Sequence, residues 1–161
     1  MSITVKVGEI VAADEAIYRW SNLQVPAAMS MTLGLVVRAI RPVLDQHATE
    51  VQKINRQLTD CVAGLRQEYG ISDNSPLPPE GALKLSKRKQ ELDQEVLDLE
   101  KVEQTLDGIS PIKLSKFKKA RIVPSGRELG LAWWLVEMDC EPEDFEFIEE
   151  ARSLKKDQSV G

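Results

Sequence analysis

The chain has 161 residues, a formal net charge of −5 and a sequence pI near 5.1. That length suits one domain with a core of its own, and the acidic balance excludes a broad duplex nucleic-acid surface, which needs many Lys and Arg contacts to phosphates. With 42% hydrophobic, 29% charged and only 5% aromatic residues, the composition points to helices packed through Leu, Val, Ile and Ala and away from a β-sandwich.

Val7, Ile10, Val11, Asp14, Ile17 and Tyr18 recur at three- and four-residue steps and predict a short first helix over residues 7–22. Pro26 suits the first turn of a second helix, because its missing N–H would have no intrahelical partner there. That helix is predicted over residues 26–69, roughly 65 Å long at 1.5 Å per residue. Its apolar positions alternate by four and three: Leu33, Val37, Ile40, Leu44, His47, Val51, Ile54, Leu58, Cys61 and Leu65. A heptad seam of this length predicts packing along another helix, and here a homo-oligomer through the seam of the second helix. Pro42 removes the donor that would bond to Arg38 and predicts a kink.

"YGISDNSPLPPE" is the turn, with Gly70 placed for a left-handed helix cap. A third helix is predicted over residues 79–107, with Leu85, Leu92, Val96, Leu99 and Leu106 on one stripe, returning antiparallel along the second and closed by Gly108. Residues 110–138 read as a small cap. Ile112, Leu114 and Ile122 alternate as short strands do, and Ser125 with Glu128 forms a capping box that starts a terminal helix reaching about Met138. Residues 139–161 form an acidic tail in which Phe145, Phe147, Ile148 and Leu154 allow a short docked helix before a frayed end. The expected fold class is therefore mainly all-α: a long antiparallel helical hairpin with a short N-terminal helix and a small C-terminal helical cap, with two short strands allowed.

Cys61 and Cys140 lack CxxC or Cys/His spacing, so the sequence predicts no zinc site, no disulfide and reduced thiols in a cytoplasmic protein. It offers no signal-peptide pattern and no run of about 18 apolar residues, so no membrane is expected. No GxSxG, P-loop, GxGxxG or HExxH motif occurs, and a single His restricts acid–base designs. No enzyme, catalytic residue, metal or cofactor is expected. His47, on the seam, reads as a polar register-setting residue rather than a ligand contact.

Chemistry concentrates in "SPIKLSKFKKARIVPSGRELGLAWWLVE". Lys113, Lys116, Lys118, Lys119, Arg121 and Arg127 lie here with no acidic residue from 112 to 126. Two readings stand. Residues 91–107 carry seven acids and one Lys, and residues 137–150 carry eight acids and no base, so the basic run can pair with these flanks. Alternatively it binds an anion, as paired guanidinium N–H groups bind phosphate oxygens. The candidate ligand-binding set is Lys113, Lys116, Lys118, Lys119 and Arg121, joined by Arg38 and Arg41 one turn apart beside Pro42, and by Trp134 as a stacking indole. Trp133 and Trp134 cannot face one direction on a helix.

"VGEIVAADEAI", "LQVPAAMSMTLGLVVRAIRPVLDQH", "YG" followed by "PLPPEGALKLSKRKQELDQEV", and "IKLSKF" before "PSGRELGLAWWLVE" together resemble a family of uncharacterised small helical proteins encoded by tailed phages. The resemblance runs to about Met138 and rests on order and spacing; the acidic tail is longer than the family pattern. It implies a helical hairpin with a small C-terminal cap in an infected bacterial cell, and no active-site residue. Phage accessory proteins of this size resemble either virion and assembly components or inhibitors of host defence that trap nucleotide immune signals. Sequestration of a small phosphorylated nucleotide is placed first, because it gives the cations and an indole a use.

Overall fold

The computed structural model describes residues 1–72 and 74–141. Strand β1 (Ser2–Lys6) opens the chain and pairs antiparallel with β2 (Glu103–Asp107), in register from Ser2 opposite Asp107 to Lys6 opposite Glu103. β-Branched Ile3, Thr4 and Val5 favour extended backbone, and alternation sorts them. Ile3 and Val5 pack with Leu106 on the core side, while Thr4 and Thr105 meet Oγ1 to Oγ1 at 3.1 Å on the exposed side.

This ribbon corrects the sequence reading twice. Residues 2–6 carry no predicted strand, and the third helix, predicted to residue 107, ends as α3 (Pro79–Glu100). Leu106 lies one heptad beyond Leu99, so periodicity alone extends the helix. The strand forms instead because β1, from the other end of the sequence, supplies its backbone partners; Gly108, at φ 75°, closes the strand rather than the helix.

Helix α1 (Val7–Ser21) follows β1 directly, matching the predicted span to one residue. The Val7 amide donates to Val102 O at 2.9 Å, which ties its start to the α3–β2 connection. Gly8 is required by that approach: a Cβ there would stand 2.9 Å from Glu100 Cβ. The helix buries Ile10, Ala13, Ala16, Ile17 and Trp20.

Helix α2 (Ala27–Glu68) has 42 residues and continues through Pro42. Its end is the predicted glycine cap. Gly70 sits at φ 66°, the Ile71 amide donates to Arg66 O at 2.8 Å and the Gly70 amide to Gln67 O at 3.2 Å, which satisfies two orphan carbonyls. The proximal half buries Met29, Leu33, Val36, Ile40 and Val43, and the distal half buries Ile54 and Leu65. Glu68 pairs with Lys84 and Gln57 with Arg88 between α2 and α3, and His47 lies 4.0 Å from Glu100. Positions fall along α2 as they rise along α3. Every residue of the heptad seam is buried or half-buried within the chain.

α2 also contains an 18-residue window of mean hydropathy 1.4, long and apolar enough by composition to cross a membrane, which the sequence reading did not expect. Only 22% of that window is buried within the chain.

The C-terminal part adds β3 (Ile112–Lys113), α4 (Leu114–Lys119), α5 (Gly126–Leu131) and β4 (Val136–Glu137). β3 and β4 run parallel, with Ile112 opposite Val136 and Lys113 opposite Glu137. The predicted capping box is present: the Glu128 amide donates to Ser125 Oγ at 3.0 Å and the Ser125 amide to Glu128 Oε1 at 2.8 Å. The helix it starts stops at Leu131, short of Met138. Ala132, Trp134, Leu135 and Val136 are all buried, and a continuing helix would turn one of the three consecutive side chains outward. The expected strand at residues 112–122 is likewise extended over two residues only, because Leu114 and Phe117 bury at helical spacing. The short docked helix expected around Phe145, Phe147, Ile148 and Leu154 lies outside the described residues. One core cluster unites β1, α1, proximal α2, β2 and the C-terminal elements, and among the described residues no polar or charged residue is buried in it.

Candidate functional site

α4 is amphipathic at three-residue steps. Leu114, Phe117 and Ala120 turn inward; Lys116 and Lys119 turn outward. Phe117 meets Trp20 edge-on, with ring centroids 4.9 Å apart and planes at 72°, a geometry worth about 0.5–1.5 kcal/mol beyond burial. This contact fixes α4 on the end of α1. The helix is closed by a glycine-type motif without glycine: the Ile122 amide donates to Phe117 O at 2.9 Å and the Arg121 amide to Lys118 O at 3.1 Å, with Arg121 at φ 58°. For an L-residue that backbone costs about 1–2 kcal/mol.

Two adjoining cavities of about 620 and 260 Å³ open between α4 and the start of α2. Gln24, Ser30 and Arg121 line the first, Ala28, Thr32 and Lys116 the second, and Pro26, Lys119 and Ala120 line both. The start of α2 faces this cleft without compensation. Pro26 offers no side-chain acceptor and the first turn holds no acidic residue, so neither offsets the positive end of the helix dipole. Lys116, Lys119 and Arg121 have no ion pair among the described residues.

The structure divides the sequence-based candidates. Lys116, Lys119 and Arg121 converge on the cleft. Lys113 stands opposite Glu137 in the β3–β4 register and helps hold the Asp139 carboxyl below its ordinary value, behind the hydrogen bonds that Ser115 donates to it. Lys118 is half-buried and engaged elsewhere. Arg38 and Arg41 are exposed on α2, about 18 Å and more along its axis from Pro26. Trp134 is a core residue, 6% exposed, whose Nε1 donates to Glu9 O at 3.3 Å; the outward indole is Trp133, at 61%. Gln24, Ser30 and Thr32 carried no signal in the sequence, since nothing local indicates that α4 packs beside them.

A separate cleft of about 780 Å³ lies between α1 and α5, lined by Tyr18, Leu23, Val123 and Leu131 around the Arg19–Glu128 pair. Arg19 Nε and Nη2 donate to the two carboxylate oxygens at 2.5 and 2.6 Å, and Nη2 also reaches Val123 O at 3.2 Å. Burial pushes the Glu128 carboxyl up, but the hydrogen bonds from Arg19 and Ser125 outweigh it and leave the group below its ordinary value. The hydrogen bond to Glu128 holds Arg19 above its own. Arg127 and Glu15 also line this cleft, so among the described residues its two cations are balanced by two carboxylates.

Among the described residues no group of three or more His, Cys, Asp or Glu side chains is placed to hold a metal. No protein-family model matches the chain, and neither the curated proteins nor the solved structures contain a match to it.

Proposed function

We propose that the protein binds a small phosphorylated ligand of nucleotide type in the cleft between α4 and the start of α2, and holds it without chemical change. The observation that carries this reading is the convergence of Lys116, Lys119 and Arg121, with no carboxylate lining the cleft among the described residues, on a helix start without a side-chain cap. Phosphate oxygens accept from ammonium and guanidinium donors and favour the positive end of a helix. Arg121 keeps a strained backbone where glycine would relieve it, which fits a side chain retained for a contact. Among the described residues the lining offers ammonium, guanidinium, amide and hydroxyl groups, which suit retention of an anion. α2 and α3 serve in this reading as an antiparallel hairpin carrying the cleft at one end. The resemblance to small phage-encoded proteins supplies the setting, a host immune signal trapped in the cytoplasm of an infected cell.

Equilibrium dialysis with ADP as probe tests it. ADP is expected to bind, to be released unchanged on heating, and to lose at least tenfold in affinity in the triple variant K116Q/K119Q/R121Q with helix content intact, since each charge-assisted contact is worth about 1.5–3 kcal/mol. Hydrolysed ADP, or equal binding by the variant, overturns the reading.

A second reading, an interaction component of a helical assembly, has its own support. Met31 and Leu35 are 71% and 53% exposed, on the face of α2 opposite Leu33, Val36 and Ile40. In this reading copies of the chain meet through that outer face, which adds to the contact expected through the heptad seam of α2.

A further inference from the structure

We infer that the outer face of the first half of α2, with the cations that border it, is a surface that lies on an anionic lipid bilayer. The inference is independent of the nucleotide reading. It concerns the side of α2 turned away from the core, and it names an occupant other than a second copy of the chain.

The first observation is an apolar row in the open. Ala28, Met31, Leu35, Arg38 and Pro42 follow one another at three- and four-residue steps, so they share one face of α2 over about 21 Å. All five are exposed. A Cβ added to Gly34, beside the row, would meet nothing within 4 Å. An 18-residue window of α2 with mean hydropathy 1.4 is only 22% buried, whereas the core helix of a soluble protein is mostly buried.

The second observation is charge. The chain carries a net −5, yet residues 27–44 hold two arginines and no acid, and residues 112–126 hold no acid either. Arg38 lies in the row and Arg41 on its flank. At the other end stand Lys116 and Lys119, which line with Ala28 the smaller cavity between α4 and α2. None of these four cations has an ion pair among the described residues. The first acid of α2 is Asp45, three residues beyond Pro42. An apolar stripe bordered by Lys and Arg is the combination by which a helix lying in the bilayer interface holds to anionic headgroups. A second copy of the same face would instead bring cations to cations, with no carboxylate in residues 27–44 to offset them, so charge favours the lipid. The helix lies on the bilayer and does not cross it. Leu33, Val36 and Ile40, on the opposite side of the same turns, belong to the core, and a spanning helix would carry Arg38 and Arg41 into hydrocarbon.

Vesicle flotation with the full chain tests the inference, using phosphatidylcholine vesicles with and without about one-third phosphatidylserine. The serine-containing vesicles are expected to bind about tenfold more tightly, and the binding should fade at about 0.5 M salt as screening shortens the reach of the charges. R38Q/R41Q and M31S/L35S should each weaken it by about fivefold, with circular dichroism unchanged. L83S, which removes a still more exposed leucine on α3, should bind as the wild type does. Equal binding to both vesicles, binding to neither, undiminished binding by either face variant, or an equal loss in L83S overturns the inference. An oligomer that L35E disperses, in a protein that ignores vesicles, gives the face to a second copy instead. Dialysis with ADP separates this surface from the cleft, because R38Q/R41Q should leave ADP affinity unchanged. If vesicles bind and ADP does not, the lipid surface stands and the nucleotide reading falls. If ADP binds, K116Q/K119Q/R121Q abolishes it and vesicles do not bind, the nucleotide reading stands and the lipid surface falls.

Discussion

The Ile122 amide donates to Phe117 O across Arg121, which is held at φ 58°. One residue both closes α4 and lines the cleft, in a conformation glycine adopts freely. Replacing Arg121 by Gly should therefore relieve about 1–2 kcal/mol of backbone cost, partly offset by about 0.5–1 kcal/mol from the freer unfolded chain. A net gain of about 0–1.5 kcal/mol, accompanied by weaker ADP binding, is the expected outcome in chemical denaturation and dialysis. A destabilised R121G would mean that the side chain holds the fold.

Acid should loosen the C-terminal part before the rest. The Asp139 carboxyl is held low by Ser115, and the Glu128 carboxyl is held low by Arg19 and Ser125 against the effect of burial. A group whose folded value lies below its unfolded one contributes stability above the ordinary carboxylate range, about pH 4, and loses it as pH falls through the folded value. Stability should fall below about pH 4, and E128Q should flatten part of that fall. At neutral pH, S125A should cost about 1 kcal/mol through its lost cap, measured by urea denaturation.

His47 Nε2 is buried, lies 4.0 Å from Glu100 Oε1 and makes no hydrogen bond. Its surroundings include Val7, Val43, Leu99 and Val102. A buried group without a partner costs about 1–3 kcal/mol, whereas an apolar group of similar shape does not. H47L is expected to raise the denaturation midpoint without changing its slope; a loss of stability would show that His47 is satisfied by water or by Glu100.

Gly8 approaches Glu100 so closely that a Cβ must displace that residue's own Cβ. G8A should destabilise by about 1–3 kcal/mol through overpacking, although alanine favours helix by about 1 kcal/mol. A net gain in thermal stability would sink this account of the α1–α3 junction.

If the outer face of α2 joins copies of the chain, L35E should convert an oligomer into a monomer in sedimentation at micromolar concentration, with circular dichroism unchanged. Substitution at Leu33 should instead unfold the protein, costing about 2–5 kcal/mol for L33A as a buried residue.

What the sequence by itself determined are the features set by local chemistry. Pro26 and Gly70 bound the long helix because one lacks an amide that would be idle there and the other tolerates φ 66°; Ser125 and Glu128 start α5 because their side chains and amides answer each other three residues apart. Heptad spacing marked the face of α2 that is covered, but not by what, since a seam looks alike whether α3 or another copy fills it. The tertiary structure alone decided the rest. β2 is a strand because β1 reaches it from the far end of the chain, against the helical period that carries Leu99 to Leu106. Lys116, Lys119 and Arg121 were visible as charge, yet their separation from Lys113 and Lys118 follows from Phe117 turning inward against Trp20. Trp134 and Trp133 differ by one position in sequence, and only the halt of α5 at Leu131, which lets Trp134, Leu135 and Val136 bury together, sends one indole to the core and the other to solvent.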